Sequence, residues 1–328
     1  MLENATLADL PAFRCAHAQN TKAGTGCTVI VAPEGAVCGV DVRGGGPATR
    51  ETDLLKPENM VQLVHAVVLS GGSAFGLEAS CGVMEALAAR GIGFKLGDAH
   101  VPIVTGACLF DLLVGENAHP DLAMGKAAAQ AALSDSYEGF LAEGNVGAGT
   151  GASVGKMLGG EGAMKTGFGM AGLRWGDLAC VALVAVNALG HVVSADGRQI
   201  AGTRDGKGGI ADPIETFERA MAAQTTEAAG GPTANTTIGC VLTNARITKA
   251  QATKTASCVH DAYARAIHPV HTLNDGDTVF TFASGEVEAI PDAVSVLATE
   301  AMQRAIERAA TQADSAYSLP SAKDYGTC

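Results

Sequence analysis

Apolar and polar positions alternate along this chain in short runs, and each run predicts an element. Residues 27–32 (CTVIVA) and 36–42 (AVCGVDV) are apolar runs separated by Pro33-Glu34-Gly35, the pattern of a hairpin. Residues 65–69 (HAVVL) read as a strand ending in Ser70-Gly71-Gly72-Ser73. Phe75, Leu77, Val83, Met84, Leu87 and Ala88 then fall where a helix turns side chains into a core. Residues 101–113 are a further apolar stretch, and 124–134 predict an Ala-rich helix. Residues 178–186 (LACVALVAV) and 190–195 predict a second hairpin with Asn187-Ala188-Leu189-Gly190 at its turn, where Asn187 reads as a turn former.

Between 200 and 235 the pattern breaks. Gly, Lys, Asp and Thr dominate, apart from one amphipathic piece at 214–221, and a loose run of small residues from Glu227 to Ala234 ends at Asn235. From Thr236 the chain turns β-branched (Thr236, Thr237, Ile238, Val241, Thr243), which suits a half-buried pleated surface and predicts a strand over 236–243. Thr248 with Gln251 three residues on forms a capping box. Ala252, Thr255, Val259, Ala262 and Ala266 continue a helix that Pro269 ends. An Asn-Asp-Gly-Asp turn precedes a strand over 278–283, and Pro291 opens a last helix to about residue 312, followed by an irregular tail. Strands in pairs and runs, flanked by helices without regular βαβ alternation, favour an α+β fold. The predicted arrangement is a four-layer αββα sandwich, and not a doubly wound sheet.

Composition narrows the function. The 328 residues are 47% hydrophobic with a net charge of −12, which argues against nucleic acid or an anionic membrane as partner. No run of 18 apolar residues exists, and Met1-Leu2-Glu3-Asn4 does not open a secretory signal. Nine cysteines, an odd number, are scattered singly without a C-x-x-C pair. Cys27, Cys108, Cys180 and Cys240 sit in apolar runs as small hydrophobes, so a reduced, cytoplasmic protein is expected. No cofactor or metal is expected. The Ser70–Ser73 turn and the Gly-rich run 144–156 (GNVGAGTGASVGK) imitate phosphate loops, but Met157 stands where Ser or Thr should follow Gly155-Lys156. The Asp275-Gly276-Asp277 turn lacks the spacing of a calcium loop.

Three places carry candidate chemistry. Thr236 stands where the loose run meets the strand. Were the Asn235–Thr236 bond cut, Thr236 would hold both a hydroxyl nucleophile and an α-amine titrating at roughly 7.7–8.0, its own base near neutral pH. The plainer alternative is a loop-to-strand junction. Lys156 reads either as a solvated surface cation or as a charge that stabilises a developing anion beside that hydroxyl. Asp275 and Asp277 read by themselves as turn chemistry, and a further role for them comes only from the resemblance below.

Six ordered stretches carry a resemblance: residues 26–55, 64–87, 144–156, 181–193 (VALVAVNALGHVV), 235–252 (NTTIGCVLTNARITKAQA) and 268–285 (HPVHTLNDGDTVFTFASG). Together they resemble the L-aminopeptidase/D-esterase family, which includes β-aminopeptidases and the nylon-oligomer (6-aminohexanoate) hydrolases. The resemblance implies an αββα fold like that of N-terminal-nucleophile hydrolases with different connectivity. It also implies that one domain, 1–328, cuts itself into 1–235 and 236–328 and assembles as a homo-oligomer of processed αβ units. Small peptides or amides would be the substrates. By the same resemblance Asn235-Thr236 is the scissile bond and Thr236 the nucleophile, with Lys156 and Asn187 flanking it. Asp275 and Asp277 match the acidic pair of the nylon-oligomer hydrolases, where other relatives carry a Ser and a Glu. In that role they would orient the α-amine of Thr236 or bind a substrate ammonium. A family Tyr that donates to the oxyanion falls at Phe110, so a backbone N–H or Asn187 must serve instead. Two rivals share the scaffold: an acyltransferase of the ornithine-acetyltransferase type, and an unprocessed, non-catalytic binding protein.

Overall fold

From its N-terminus the chain forms β1 (Arg14–Asn20), β2 (Thr25–Val42), β3 (Val64–Ser70), α1 (Ala79–Ala88), β4 (Val104–Cys108) and α2 (Leu122–Ala132). It continues through β5 (Phe168–Trp175), β6 (Leu178–Asn187), α3 (Pro213–Gln224), β7 (Thr236–Ala245), α4 (Lys249–Ala266), β8 (Thr278–Val287) and α5 (Pro291–Thr311). These elements come from a computed structural model that describes residues 1–224 and 235–328; the run of small residues at 227–234 lies outside the described residues.

Two sheets share one long strand. The first runs from the edge piece Leu2–Asn4 through β5, β6, β7 and β8 to the C-terminal part of β2. The second carries the N-terminal part of β2 between β1 and β3, then β4 and the edge piece Ala48–Arg50. Pairs β7–β8 and β3–β4 are parallel, and the other pairs named are antiparallel.

Strand alternation explains the layers. On β6, Val181, Leu183 and Ala185 join Ile238, Cys240, Leu242, Phe280 and Phe282 in a core that also takes Ile30, Val67 and Leu69 from the second sheet. Their neighbours Ala182, Val184 and Val186 face the opposite way, against Val259, Ala262, Met302 and Ile306 of α4 and α5. Val29, Val31, Val68 and Val104 face outward from the second sheet onto α1 and α2 at Val83, Leu87, Ala128 and Ala132. Three apolar interfaces between four layers make the predicted αββα sandwich. Each fully buried Val, Leu or Phe contributes about 1.5–3 kcal/mol.

Two sequence expectations are corrected. Residues 25–42 form one strand, not a hairpin. Its register with β3 shifts between Val31 and Ala36, and Gly35 takes a left-handed φ of 78°. Pro33, which has no N–H to give a ladder, sits in that bulge, where the strand leaves one sheet for the other. The second predicted hairpin is also absent. β6 pairs with β5 and β7, whereas His191–Val193 pairs with Gln199–Ala201 and Ile267–His268 in a separate small sheet. Asn187 is therefore the last residue of a central strand.

The helix after the Ser70–Ser73 turn begins only at Ala79, behind a 3-10 turn at Ser73–Glu78, and Phe75 and Ala88 are exposed instead of facing a core. Other local signals hold. Thr248 and Gln251 form the capping box of α4, and Pro291 stands in the first turn of α5. The cysteines are unpaired, with Cys27, Cys108, Cys180 and Cys240 buried as expected. Among the described residues no helix is long and apolar enough to cross a membrane.

Candidate active site

Thr236 begins β7 in the middle of the first sheet, so neighbouring strands deliver groups to it from both sides. On one side the antiparallel register sets Asn187 opposite Thr236. On the other, a parallel bridge joins Asn235 to Asp275, so the Asp275-Gly276-Asp277 turn lies against the Asn235–Thr236 bond. Asn235 and Thr236 are both buried, at 1% and 4% exposure.

The carbonyl oxygen of Asn235 accepts two hydrogen bonds. One comes from the Gly276 N–H at 2.9 Å and the other from the hydroxyl of Thr236 itself. The hydroxyl thus rests on the very carbonyl group it would attack, and the amide opposite polarises that group. Gly276 has no room for a side chain. A Cβ there would stand 2.7 Å from Thr236 Oγ1 and 3.0 Å from the Gly46 carbonyl. In sequence Gly276 reads only as part of a turn, because close approach of two backbones leaves no mark beyond the glycine itself.

Lys156 is buried, which removes the solvated-cation alternative. Its Nζ donates to the Asn187 carbonyl at 3.0 Å and to Asn187 Oδ1 at 2.8 Å. Oδ1 also accepts the Ser153 N–H at 3.1 Å. Two obligate donors on this oxygen fix the amide's orientation, and Nδ2 accordingly donates to the Phe110 carbonyl at 2.9 Å. An amide nitrogen carries two hydrogens, so one remains for an oxyanion. Burial lowers the Lys156 pKa to about 7, against the opposing pull of Asp275 and Asp111.

The acidic pair is tied to backbone. Asp277 Oδ1 accepts the Thr237 N–H at 2.7 Å, while Oδ2 accepts the His271 N–H at 3.1 Å and its Nδ1–H at 2.8 Å. Asp275 Oδ2 accepts the Thr272 N–H at 2.7 Å. Burial and then the charge of Asp277 raise the pKa of Asp275, although Thr272 and Lys156 oppose the shift. His271 is a further residue that sequence did not single out. It adopts a left-handed φ of 57° and meets the rings of His260 and Tyr263. Nothing in a lone His of a polar loop announces that placement.

A cavity of about 560 Å³ reaches Lys156 and is lined by Phe110, Ser153, Arg204 and Tyr317 among others. Thr236, Asn187 and Asn235 are not part of its wall. The Ser70–Ser73 turn braces the region: Gly72, at a left-handed φ of 80°, donates its N–H to Asp111 Oδ1 at 2.7 Å. No group of three or more His, Cys, Asp or Glu side chains placed to hold a metal occurs among the described residues. The five predicted residues Thr236, Asn187, Lys156, Asp275 and Asp277 therefore converge on one centre, together with Asn235.

Comparison with known proteins gives the setting. The model of peptidase family S58 matches residues 5–319. An uncharacterized aminopeptidase of Mycobacterium leprae is 41% identical over 276 residues, covering 80% of this chain and 72% of the relative. The 6-aminohexanoate-oligomer endohydrolase of Paenarthrobacter ureafaciens is 34% identical over 285 residues, covering 85% and 75%. Among solved structures, the L-aminopeptidase D-Ala-esterase/amidase of Ochrobactrum anthropi, described as a variant of the Ntn hydrolase fold, superposes with a TM-score of 0.63. It is 17% identical and covers 92% of this chain and 84% of that one, a likeness of fold.

Proposed function

The chain belongs to peptidase family S58, and from that premise we propose that it cuts its own Asn235–Thr236 bond and then hydrolyses substrates with Thr236 as nucleophile. It is a hydrolase of amide or peptide bonds, of aminopeptidase type. The observation that carries the proposal is the Asn235 carbonyl held between the Thr236 hydroxyl and the Gly276 N–H.

In maturation, Thr236 Oγ bonds to the Asn235 carbonyl carbon and the Gly276 N–H takes the charge that develops on oxygen. The C–N bond then breaks and its nitrogen takes up the proton that Oγ has lost, leaving an ester between Asn235 and Thr236 and a free amine on Thr236. Water cleaves the ester, giving an Asn235 carboxylate and a free hydroxyl. In turnover the new amine takes the proton of Oγ as it attacks a substrate carbonyl. The free N–H of Asn187, with Lys156 behind it, holds that oxyanion. The departing amine takes up the proton, and water releases the acyl group. Asp277 holds Thr237 in place, and Asp275, whose backbone is bridged to Asn235, is the carboxylate we assign to the new ammonium. Cleavage also frees the Asn235 end to move aside, which would open Thr236 toward the Lys156 cavity.

Substrates of this size of cavity are short peptides, amino-acid amides or ω-amino oligomers, the last after the named activity of the Paenarthrobacter relative. The processed units assemble with copies of themselves. Leu2 and Trp175, paired across the sheet edge, and Ile290 leave large apolar side chains exposed there.

A denaturing gel with N-terminal sequencing tests the central claim. Native protein should give fragments 1–235 and 236–328, the second beginning at Thr236, while Thr236→Ala stays whole and inactive. A normally cut Thr236→Ala protein refutes the assignment, and acyl transfer to an added amine in preference to water would change the reaction class.

A further inference from the structure

The Lys156 cavity carries a second cation for which the chemistry at Thr236 has no use. Arg204 lines the same wall. Its backbone N–H is anchored on the Gly162 carbonyl at 2.9 Å, and the preceding Thr203 hydroxyl holds the Gly155 carbonyl at 2.8 Å. Arg204 is thereby fixed beside the segment that presents Lys156. One arm of the guanidinium donates to the backbone carbonyl of Glu161, not to its carboxylate. Nε is buried without a partner, and no acidic side chain forms an ion pair with Arg204 among the described residues.

A guanidinium whose Nε is buried without a partner, and which has found no anion, calls for an explanation. Its planar fork matches one ligand chemistry best, a carboxylate. Much of the rest of the wall is apolar, with Leu113, Val114 and Leu319 available to pack against the body of a small substrate.

We propose that Arg204 receives the free carboxylate at the end of the substrate's leaving portion. The preferred substrates are then short, unblocked peptides or amino-acid oligomers, and not C-terminally capped amides or the interior of long polymers. This rests on the placement of the scissile carbonyl at Thr236, Asn187 and Lys156 given above. The cavity joins Lys156 to Arg204, and a volume of about 560 Å³ suits a small ligand.

Two matched pairs test it on the mature protein: alanyl-glycine against alanyl-glycinamide, and the linear 6-aminohexanoate dimer against its C-terminal amide. Native protein should favour the acid in the pair it cleaves. Arg204→Met should lower the acid-to-amide ratio of kcat/KM about tenfold or more, and Arg204→Lys, which keeps the charge without the fork, should lower it less. Appearance of both fragments on a gel certifies that each variant has folded. If Arg204→Met fails that check, the Lys variant alone must still show the reduced ratio. Equal native rates for acid and amide, or a ratio untouched by substitution, overturn the inference while leaving the hydrolase reading intact. A protein that matures but cleaves neither pair overturns the proposed turnover and this inference with it.

Discussion

Gly276 donates its N–H across 2.9 Å to the carbonyl oxygen of Asn235, the same oxygen that receives the Thr236 hydroxyl. This contact joins the acidic turn to the bond proposed to break. Gly276→Ala keeps the N–H but sets a methyl group 2.7 Å from Thr236 Oγ1. Relieving that contact moves the attacking atom, and a misplacement of about 1 Å slows reaction by about 10²-fold. Time courses on a denaturing gel should therefore show full-length chain persisting about 10² times longer than in the native protein.

Asn187 offers an acceptor to Lys156 and Ser153 and a donor to the opposite side. Asn187→Asp keeps both acceptor bonds and loses the N–H. Hydrolysis by matured protein should fall about 10²–10³-fold, the usual effect of removing one oxyanion donor. Rates within threefold of native would mean that the donor faces nothing that reacts.

Lys156 loses its proton near pH 7, because burial lowers its pKa to about 7. If its charge assists the oxyanion, activity declines as pH rises through 7. The Thr236 amine must instead be neutral, which it becomes above roughly 7.7–8.0. The native rate should therefore be bell-shaped and narrow. In Lys156→Met the rate should be about 10²–10³-fold lower at its best, rising to a plateau with no descending limb. Initial rates from pH 5.5 to 9.5 decide this.

Asp111 bears on stability. Burial raises its pKa to about 6, above the roughly 3.9 of an unfolded chain. The folded state binds the extra proton between those values, so this contribution is complete below about pH 4 and is lost as pH rises through 6. Asp111→Asn still offers Oδ1 to the Gly72 N–H but does not titrate. The melting temperature of the native protein, less that of Asp111→Asn, should thus decline from pH 4 to pH 7.

Much of this was legible in the chain itself. Local signals worked where the element makes its own case, as with the capping box of α4 or the β-branched run of β7. The long ordered resemblance located Thr236, Asn187, Lys156, Asp275 and Asp277, although read alone Asn187 looked like a turn and Lys156 like a surface charge. Other features depend on contacts distant in sequence. Pro33-Glu34-Gly35 looks the same in a hairpin and in a bulge; only the partner strands β3 and β8 decide which. His271, Gly276 and Arg204 matter through what lies beside them, and no spacing pattern encodes that.

Strands β7 and β8 both follow residue 235, yet they lie side by side with β6 on one flank and the end of β2 on the other, both of which precede it. A nick after 235 would leave the shorter piece clasped within the longer one, like a drawer held between its runners. The two polypeptides should melt together in one calorimetric peak and stay associated at any dilution short of denaturation. Coexpressing them as separate genes would demand that the longer piece hold open, in water, a gap two strands wide through its most apolar layer.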